Sequence, residues 1–230
     1  MSPLIERYGH LGGKELIAAM VTEAFPGRIA VTSSFGAESA VLLDLVAQVD
    51  PSVPVIFLDT GVLFDETLSY RYQLQRRLGL TDVRVVRPTE QDRDDAEGLW
   101  ETDHDRCCHL RKVLPMARAT HGFDALIDGR KRAHGGGREG LGRIEEAGGL
   151  VKVAPLADWS EAMILKVFRD RDLPRHPLLE QGYRSIGCWP CTWPVDPGQP
   201  VRAGRWAGTG KTECGIHTQP LVYGRDGAGI

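Results

Sequence analysis

The chain has no apolar run long enough to span a bilayer, no excess of basic charge and no even set of cysteines. The first absence excludes a membrane-spanning helix. The second, 28 Lys and Arg against 31 Asp and Glu for a net charge of -3, removes bulk attraction to nucleic acid or anionic lipid. The opening stretch MSPLIERYGH also lacks the basic and apolar regions of a signal peptide, so the expected location is the cytoplasm. In that reducing compartment five cysteines are not expected to build a disulfide framework. Metal ligation, catalysis and inert burial are left for them. No internal repeat or long charge block occurs, and 230 residues that are 42% apolar and 26% charged suit one substantial domain with a real core.

What is present alternates between short apolar runs and longer amphipathic ones. KELIAAMVTEAF places Leu16, Ile17, Met20 and Ala24 at helical spacing. RIAVTS (residues 28–33) then reads as a buried strand, followed by an apolar helix in AVLLDLVAQ. VPVIFLDT is a second strand, ETLSYRYQLQRRLGL a helix closed by Gly79, and VRVVRP a third strand. Further strands are expected in FDALIDG and LVKVAPL. Helices are expected in KVLPMARAT and in SEAMILKVFRDR, the latter capped by Ser160. This alternation is the mark of an α/β fold with a parallel sheet, whose ligands bind beyond the carboxyl ends of the strands. From about Pro174 the chain becomes dense in Pro, Gly, Trp and Cys with little periodicity. The expectation is therefore an α/β nucleotide-binding region over residues 1–173 and a loop-rich segment over 174–230, folded onto it as part of the same domain.

Several motifs carry chemistry, each with a plainer alternative. SSFGAES joins a strand to a helix, so its backbone N–H groups with Ser33, Ser34 and Ser39 can cradle an anion, or form an ordinary turn. The only GKT, at 210–212, would need glycine where Arg205 stands, so it is not a Walker loop. GGGREG matches G-x-G-x-x-G but lies between no clear strand and helix, and reads as a loop. Beside it, Arg130, Lys131, Arg132 and Arg138 form either an oxyanion clamp or a solvated basic loop. Cys107 and Cys108 are adjacent, a poor geometry for a mutual disulfide. With the Cys188-Trp-Pro-Cys191 pair they make a four-thiolate set that zinc or an iron–sulfur cluster would accept. The adjacent pair favours a cluster, and inert buried thiols are the alternative. Cys214 stands alone in KTECGIHT, between Lys211 and His217, where cations raise thiolate character. It is either a nucleophile or a free surface thiol.

Taken together, TSSFGAES, LDTGVLFDET, RCCHLRKVLP, DGRKR followed by Arg138, SIGCWPCT and GRW…KTECGIH resemble the assimilatory adenylyl-sulfate reductases, relatives of the phosphoadenylyl-sulfate reductases. The motifs occur in the family's order from about Val31 to His217. The resemblance implies an adenine-nucleotide α-hydrolase-like fold with a modified pyrophosphatase loop, and adenosine 5′-phosphosulfate as substrate. Its phosphosulfate would lie across Ser33, Ser34, Phe35, Gly36 and Ser39, with Leu58 and Gly61 near the adenosine. Lys112, Gly129, Arg130, Arg138, Arg202, Arg205 and His217 would surround the anionic groups. Cys107, Cys108, Cys188 and Cys191 would ligate one [4Fe–4S] cluster per chain. Cys214 would take the sulfonate as S-sulfocysteine and release AMP, and thioredoxin or glutaredoxin would then free sulfite. No nucleic-acid or membrane partner is implied, and self-association is left open. Ala133, His134 and His109 depart from the commoner family pattern.

Three rivals differ from this reading. One is a cluster-bearing reductase of the 3′-phosphorylated nucleotide. Another is an ATP-dependent tRNA sulfur-transfer enzyme, whose loop normally reads closer to SGGxDS. A non-catalytic zinc module held by four cysteines is the third, and it leaves the loop and Cys214 unexplained.

Overall fold

Mostly apolar runs of three or four residues, too short to make a helix, become every strand but one. The computed structural model describes residues 2–147 and 149–217. Strands β1 (Ile29–Thr32), β2 (Val55–Leu58), β3 (Val83–Val86), β4 (Ala125–Ile127), β5 (Ile144–Ala147) and β6 (Leu150–Val153) form one six-stranded sheet in the order β3-β2-β1-β4-β6-β5. All neighbours are parallel except β5, which pairs antiparallel with β6. Val31 in the middle of the sheet lies between Val55 and Ile127.

The central strands are apolar on both faces because both faces are covered. Ile29, Val31, Val55, Phe57, Ala125 and Ile127 belong to the larger core, which takes in helices α2 (Gly13–Ala19), α3 (Ser39–Ala47), α4 (Asp65–Leu78) and α9 (Glu161–Asp170). Ala30, Ile56 and Leu126, one residue out of phase, join Met116 of α8 (Leu114–Thr120) in a smaller core on the other face. The expected helices stand where the periodicity put them. Ser160 caps α9 by accepting from Met163 N, and Gly79 ends α4 in the left-handed region at φ 67°.

Some elements were not expected. The short helices α1 (Pro3–Tyr8), α5 (Glu90–Asp95), α6 (Leu99–Thr102) and α7 (His104–Cys108) are too brief for a readable period. A π-turn at His109–Val113 joins α7 to α8, and Pro115 then sits in the first turn of α8, where its missing N–H does no harm. Among the described residues no helix is long and apolar enough to cross a membrane.

The order of strands decides where a ligand can sit. The chain runs outward from β1 to β2 to β3, then returns to the other side of β1 with β4. The connections leave β1 and β4 in opposite directions and open a crevice beyond their carboxyl ends.

Candidate functional site

The crevice floor starts with the loop after β1. Ser33 N extends the sheet by donating to Ile56 O at 3.0 Å, and Ser33 Oγ accepts from Phe35 N at 3.1 Å. Phe35 sits in the left-handed region at φ 47°, unusual for a bulky residue. Its buried ring offsets that cost by packing edge-on to Phe57, centroids 5.2 Å apart. The ring is thereby turned into the core and the Ser33–Ser39 backbone toward the crevice, with the N-terminus of α3 behind it. Glu38, just before α3, accepts from Lys131 Nζ at 2.5 Å and pairs with His134 Nε2 at 2.9 Å. Burial alone would raise its carboxyl, but His134 and Lys131 hold it down at about 2.

The facing wall follows β4. Asp128 accepts from Arg130 N and Nε at 2.9 Å, and Arg130 Nη2 reaches Glu145 Oε2 at 3.1 Å. Arg130 is thus held by two carboxylates. Arg138 lies beyond it, next to His134.

The adjacent cysteines close α7. Neighbours on a helix point about 100° apart, and both Cys107 and Cys108 are buried. Cys188 and Cys191 are also buried, on a single 3-10 turn in which Cys191 N donates to Cys188 O at 3.1 Å. The turn is pinned to the segment after β2. Trp189 N donates to Val62 O at 3.0 Å, and Thr60 Oγ1 lies 3.3 Å from Cys188 Sγ. Gly61, at φ 76°, makes the bend that brings this segment against Arg111. Arg111 is 2% exposed and donates to Thr60 O at 2.9 Å and Glu97 Oε2 at 3.0 Å. It ties the β2 turn to the cysteine-bearing helix.

Charge explains how the thiols differ. Burial pushes the Cys108 and Cys191 thiols up to about 11, and it raises Cys107 too. Burial opposes ionisation of Cys188 as well, but Lys112, the Thr60 hydroxyl and Arg205 outweigh it and lower that thiol. Lys112 is in turn held above the usual lysine range. Burial works against its charge and is outweighed by Cys188, Cys108 and Cys214. Among the described residues no three His, Cys, Asp or Glu side chains are arranged to hold a single metal ion. A four-iron cluster does not need that arrangement, since each thiolate binds a different iron. Four buried thiols with the half-buried Lys112 ammonium beside them fit such a group.

Trp206 stands between two of these thiols, Cys108 and Cys191, and the crevice, which Cys188 lines. Its indole packs with Cys108 and Cys191, is 2% exposed, and its buried Nε1 has no hydrogen-bond partner. Four cations surround the ring: Arg205 at 4.5 Å from its centroid, Lys211 at 5.8 Å, and Lys112 and Arg202 at 6.0 Å. The negative face of the indole lets like charges gather that would otherwise repel. Arg205 reaches its place only because residue 187 is glycine. A β-carbon there would stand 2.7 Å from Arg205 Cζ.

The segment 211–217 lies across the crevice. Lys211 pairs with Asp105, Arg138 Nε donates to Glu213 Oε1 at 2.6 Å, and Lys152 Nζ donates to His217 O at 2.6 Å. Ile216 packs on the smaller core. Burial pushes the His217 imidazole down to about 4 against the pull of Asp128, so it is neutral at pH 7. Cys214 is partly exposed and lines the crevice.

The resulting cavity encloses about 1380 Å3 of empty space, counting the open solvent at its mouth. It gathers Ser33, Ser34, Gly36, Ser39, Leu58, Lys112, Gly129, Arg130, Arg138, Cys188, Arg202, Arg205, Cys214 and His217. Phe35 faces the core, Gly61 lies behind the wall beside Arg111, and Cys107, Cys108 and Cys191 are behind Lys112 and Trp206. Residues without a sequence-assigned role also stand here: Glu38, Asp128, Trp206 and Glu213. All four fall inside the quoted motifs: Glu38 before the loop's last serine, Asp128 at the head of DGRKR, Trp206 in GRW and Glu213 beside Cys214.

An open parallel sheet with its cavity at the strand-order reversal, under a serine-rich loop, defines the class: the adenine-nucleotide α-hydrolase-like fold. Comparison with known proteins narrows it. The family model for the phosphoadenosine phosphosulfate reductase domain matches residues 28–194, and the chain belongs to that family. It is 48% identical over 219 residues to an adenosine 5′-phosphosulfate reductase of Chelativorans sp. (strain BNC1), spanning 94% of this chain and 89% of that one. A phosphoadenosine 5′-phosphosulfate reductase of Gloeobacter violaceus is 37% identical, spanning 88% of each. The crystal structure of phosphoadenylyl-sulfate (PAPS) reductase from Candida auris, a phosphate complex, superposes with a TM-score of 0.69 at 27% identity, over 82% of this chain and 96% of that one. An FMN adenylyltransferase of Candida glabrata in complex with ATP, at 18% identity and a TM-score of 0.56 over 85% of this chain and 73% of that one, shares the fold.

Proposed function

We propose that this protein reduces adenosine 5′-phosphosulfate to sulfite and AMP through a covalent sulfonate on Cys214, in the cytoplasm and within assimilatory sulfate reduction. The observation that carries this reading is the single cavity shared by Cys214, the Ser33–Ser39 loop and the arginines. The loop and the N-terminus of α3 would hold the phosphosulfate, and Leu58 would face the adenosine. Lys112, Arg138, Arg202 and Arg205 would neutralise the anionic groups, with Arg130 freed from its carboxylates or acting through them.

The Cys214 thiolate attacks the sulfur of the sulfate group. An S–S bond forms, the bond from sulfur to the bridging oxygen breaks, and the electron pair leaves with the phosphate oxygen of AMP. Cationic side chains around that phosphate make it a good leaving group. A dithiol protein, thioredoxin or glutaredoxin, then attacks Cys214 Sγ and expels sulfite. Its second thiol resolves the mixed disulfide, so the dithiol is oxidised by two electrons and the sulfur reduced by two. One thiol must meet first a buried nucleotide and then a protein, which requires segment 211–217 to move between the steps.

Cys107, Cys108, Cys188 and Cys191 would hold a [4Fe–4S] cluster, which when bound supplies a fixed electrostatic field beside Lys112 rather than a redox step. The preference for the substrate lacking a 3′-phosphate rests on the two cysteine pairs and on relatives so named. Sulfite release from each nucleotide with thioredoxin, by purified protein, tests the reading. Faster turnover of adenosine 5′-phosphosulfate supports it, faster turnover of the 3′-phosphorylated form moves the substrate, and no sulfite from either removes the function. Iron and sulfide in equal amounts would separate the cluster from zinc.

A further inference from the structure

Glu213 is the residue whose position the reaction above does not explain. Its carboxylate receives Arg138 through Nε at 2.6 Å and Nη2 at 2.5 Å, both on Oε1, while Arg202 Nη2 lies 3.6 Å from Oε2. Among the described residues no other carboxylate pairs with either arginine. Arg202 also holds the neighbouring backbone, donating to Thr212 O at 2.6 Å. All three side chains are mostly buried: 11% of Arg138, 16% of Arg202 and 19% of Glu213 is exposed. Two mostly buried guanidinium groups that reach the same carboxylate need an anion between them. Burial and the neighbouring Arg138 push Arg202 down to about 10, with Glu213 pulling the other way. That anion is supplied by the residue immediately before the cavity's partly exposed thiol.

We propose that Glu213 is a positioning residue and an internal stand-in for the ligand's anion: its carboxylate seats Cys214 in the cavity, and the phosphate or sulfate group of a nucleotide competes with it for Arg138 and Arg202. This rests on the reading that the cavity takes an anionic nucleotide. Its consequence is a coupling of binding to tail release. A ligand that takes the two guanidiniums removes one of the anchors holding segment 211–217, and by linkage an intact anchor weakens the ligand. The anchors Lys211–Asp105 and Lys152 to His217 O do not involve these arginines, so the segment is loosened at Cys214 first.

The test is calorimetric binding of AMP to the full-length, cluster-loaded protein and to its Glu213→Gln variant, with iodoacetamide labelling of Cys214 in the ligand-free proteins mapped by peptide mass. Loss of a charge-assisted internal pair should tighten AMP on the order of tenfold and speed Cys214 labelling by a similar factor. AMP binding that is equal or weaker in the variant, or unchanged Cys214 labelling, overturns the proposal while leaving the functional reading intact. Failure of AMP to bind either protein overturns both.

Discussion

His176 should make the fold acid-sensitive by a calculable amount. The ring is 1% exposed and packs edge-on to Tyr70, centroids 4.9 Å apart. Its Nδ1 accepts from Leu178 N at 3.2 Å, so that nitrogen carries no proton, and Nε2 is left to donate to Thr67 Oγ1 at 3.1 Å. Protonation would remove the Leu178 bond and bury a charge, and burial accordingly pushes the imidazole down to about 4. In the unfolded chain histidine titrates near 6.5. The folded value is the lower one, so unfolding takes up a proton. The stabilisation is complete above pH 6.5 and is lost as pH falls from there to about 4. The fall from 6.5 to about 4 is worth about 3 kcal/mol over that window. Urea unfolding of wild type and His176→Asn at pH 7.5, 6.0 and 4.5, with the cysteine site in the same state in both, measures it. Asparagine can keep the acceptor toward Leu178 N but has no titrating ring. The variant should start less stable and lose about 3 kcal/mol less on acidification. Parallel pH profiles for the two proteins would refute the tautomer and the burial argument together.

Other consequences follow from single contacts. Gly187→Ala should push the Arg205 guanidinium off Trp206 at little cost in unfolding temperature, because the colliding group ends a long side chain, and should weaken AMP binding about tenfold; unchanged affinity would remove Arg205 from the anion site. Glu38→Gln strands the buried Lys131 ammonium and should cost about 3 kcal/mol in denaturant unfolding at pH 7. In wild type this contribution is present above the ordinary glutamate range and fades as pH falls toward about 2. Lys112→Met removes the cation that most favours the Cys188 thiolate, so bound iron per chain should fall; full retention of iron would show that Lys112 serves the nucleotide alone.

Strands β1, β2, β3, β4 and β6 could be read because each is an apolar run bounded by turn residues. Strand β5 could not: it is half charged, and Glu145 lies opposite Lys152 on β6 at the edge of the sheet, where no buried face imposes a pattern. The helices α1, α5 and α6, of four to six residues, carry too little period to show. In the site, the cysteines, the serine loop and the basic residues stand out because their types are uncommon in such spacing. Glu38 and Glu213 have ordinary identities, and their roles come from partners far away in sequence. Glu38 meets Lys131 across 93 residues and Glu213 meets Arg138 across 75. Arg111 was hidden differently, as one more cation beside Lys112 until the turn at Gly61 brought Thr60 O to it.

The central claim is that Cys214 takes the sulfonate directly. Intact-mass spectrometry after anaerobic incubation with adenosine 5′-phosphosulfate, with its 3′-phosphorylated form in parallel and Cys214→Ser as control, reads this without any reductant. The account expects one added SO3 group, gained faster from the unphosphorylated nucleotide and absent from the control. An unmodified mass with the cluster intact, or an adduct that persists in Cys214→Ser, would contradict it.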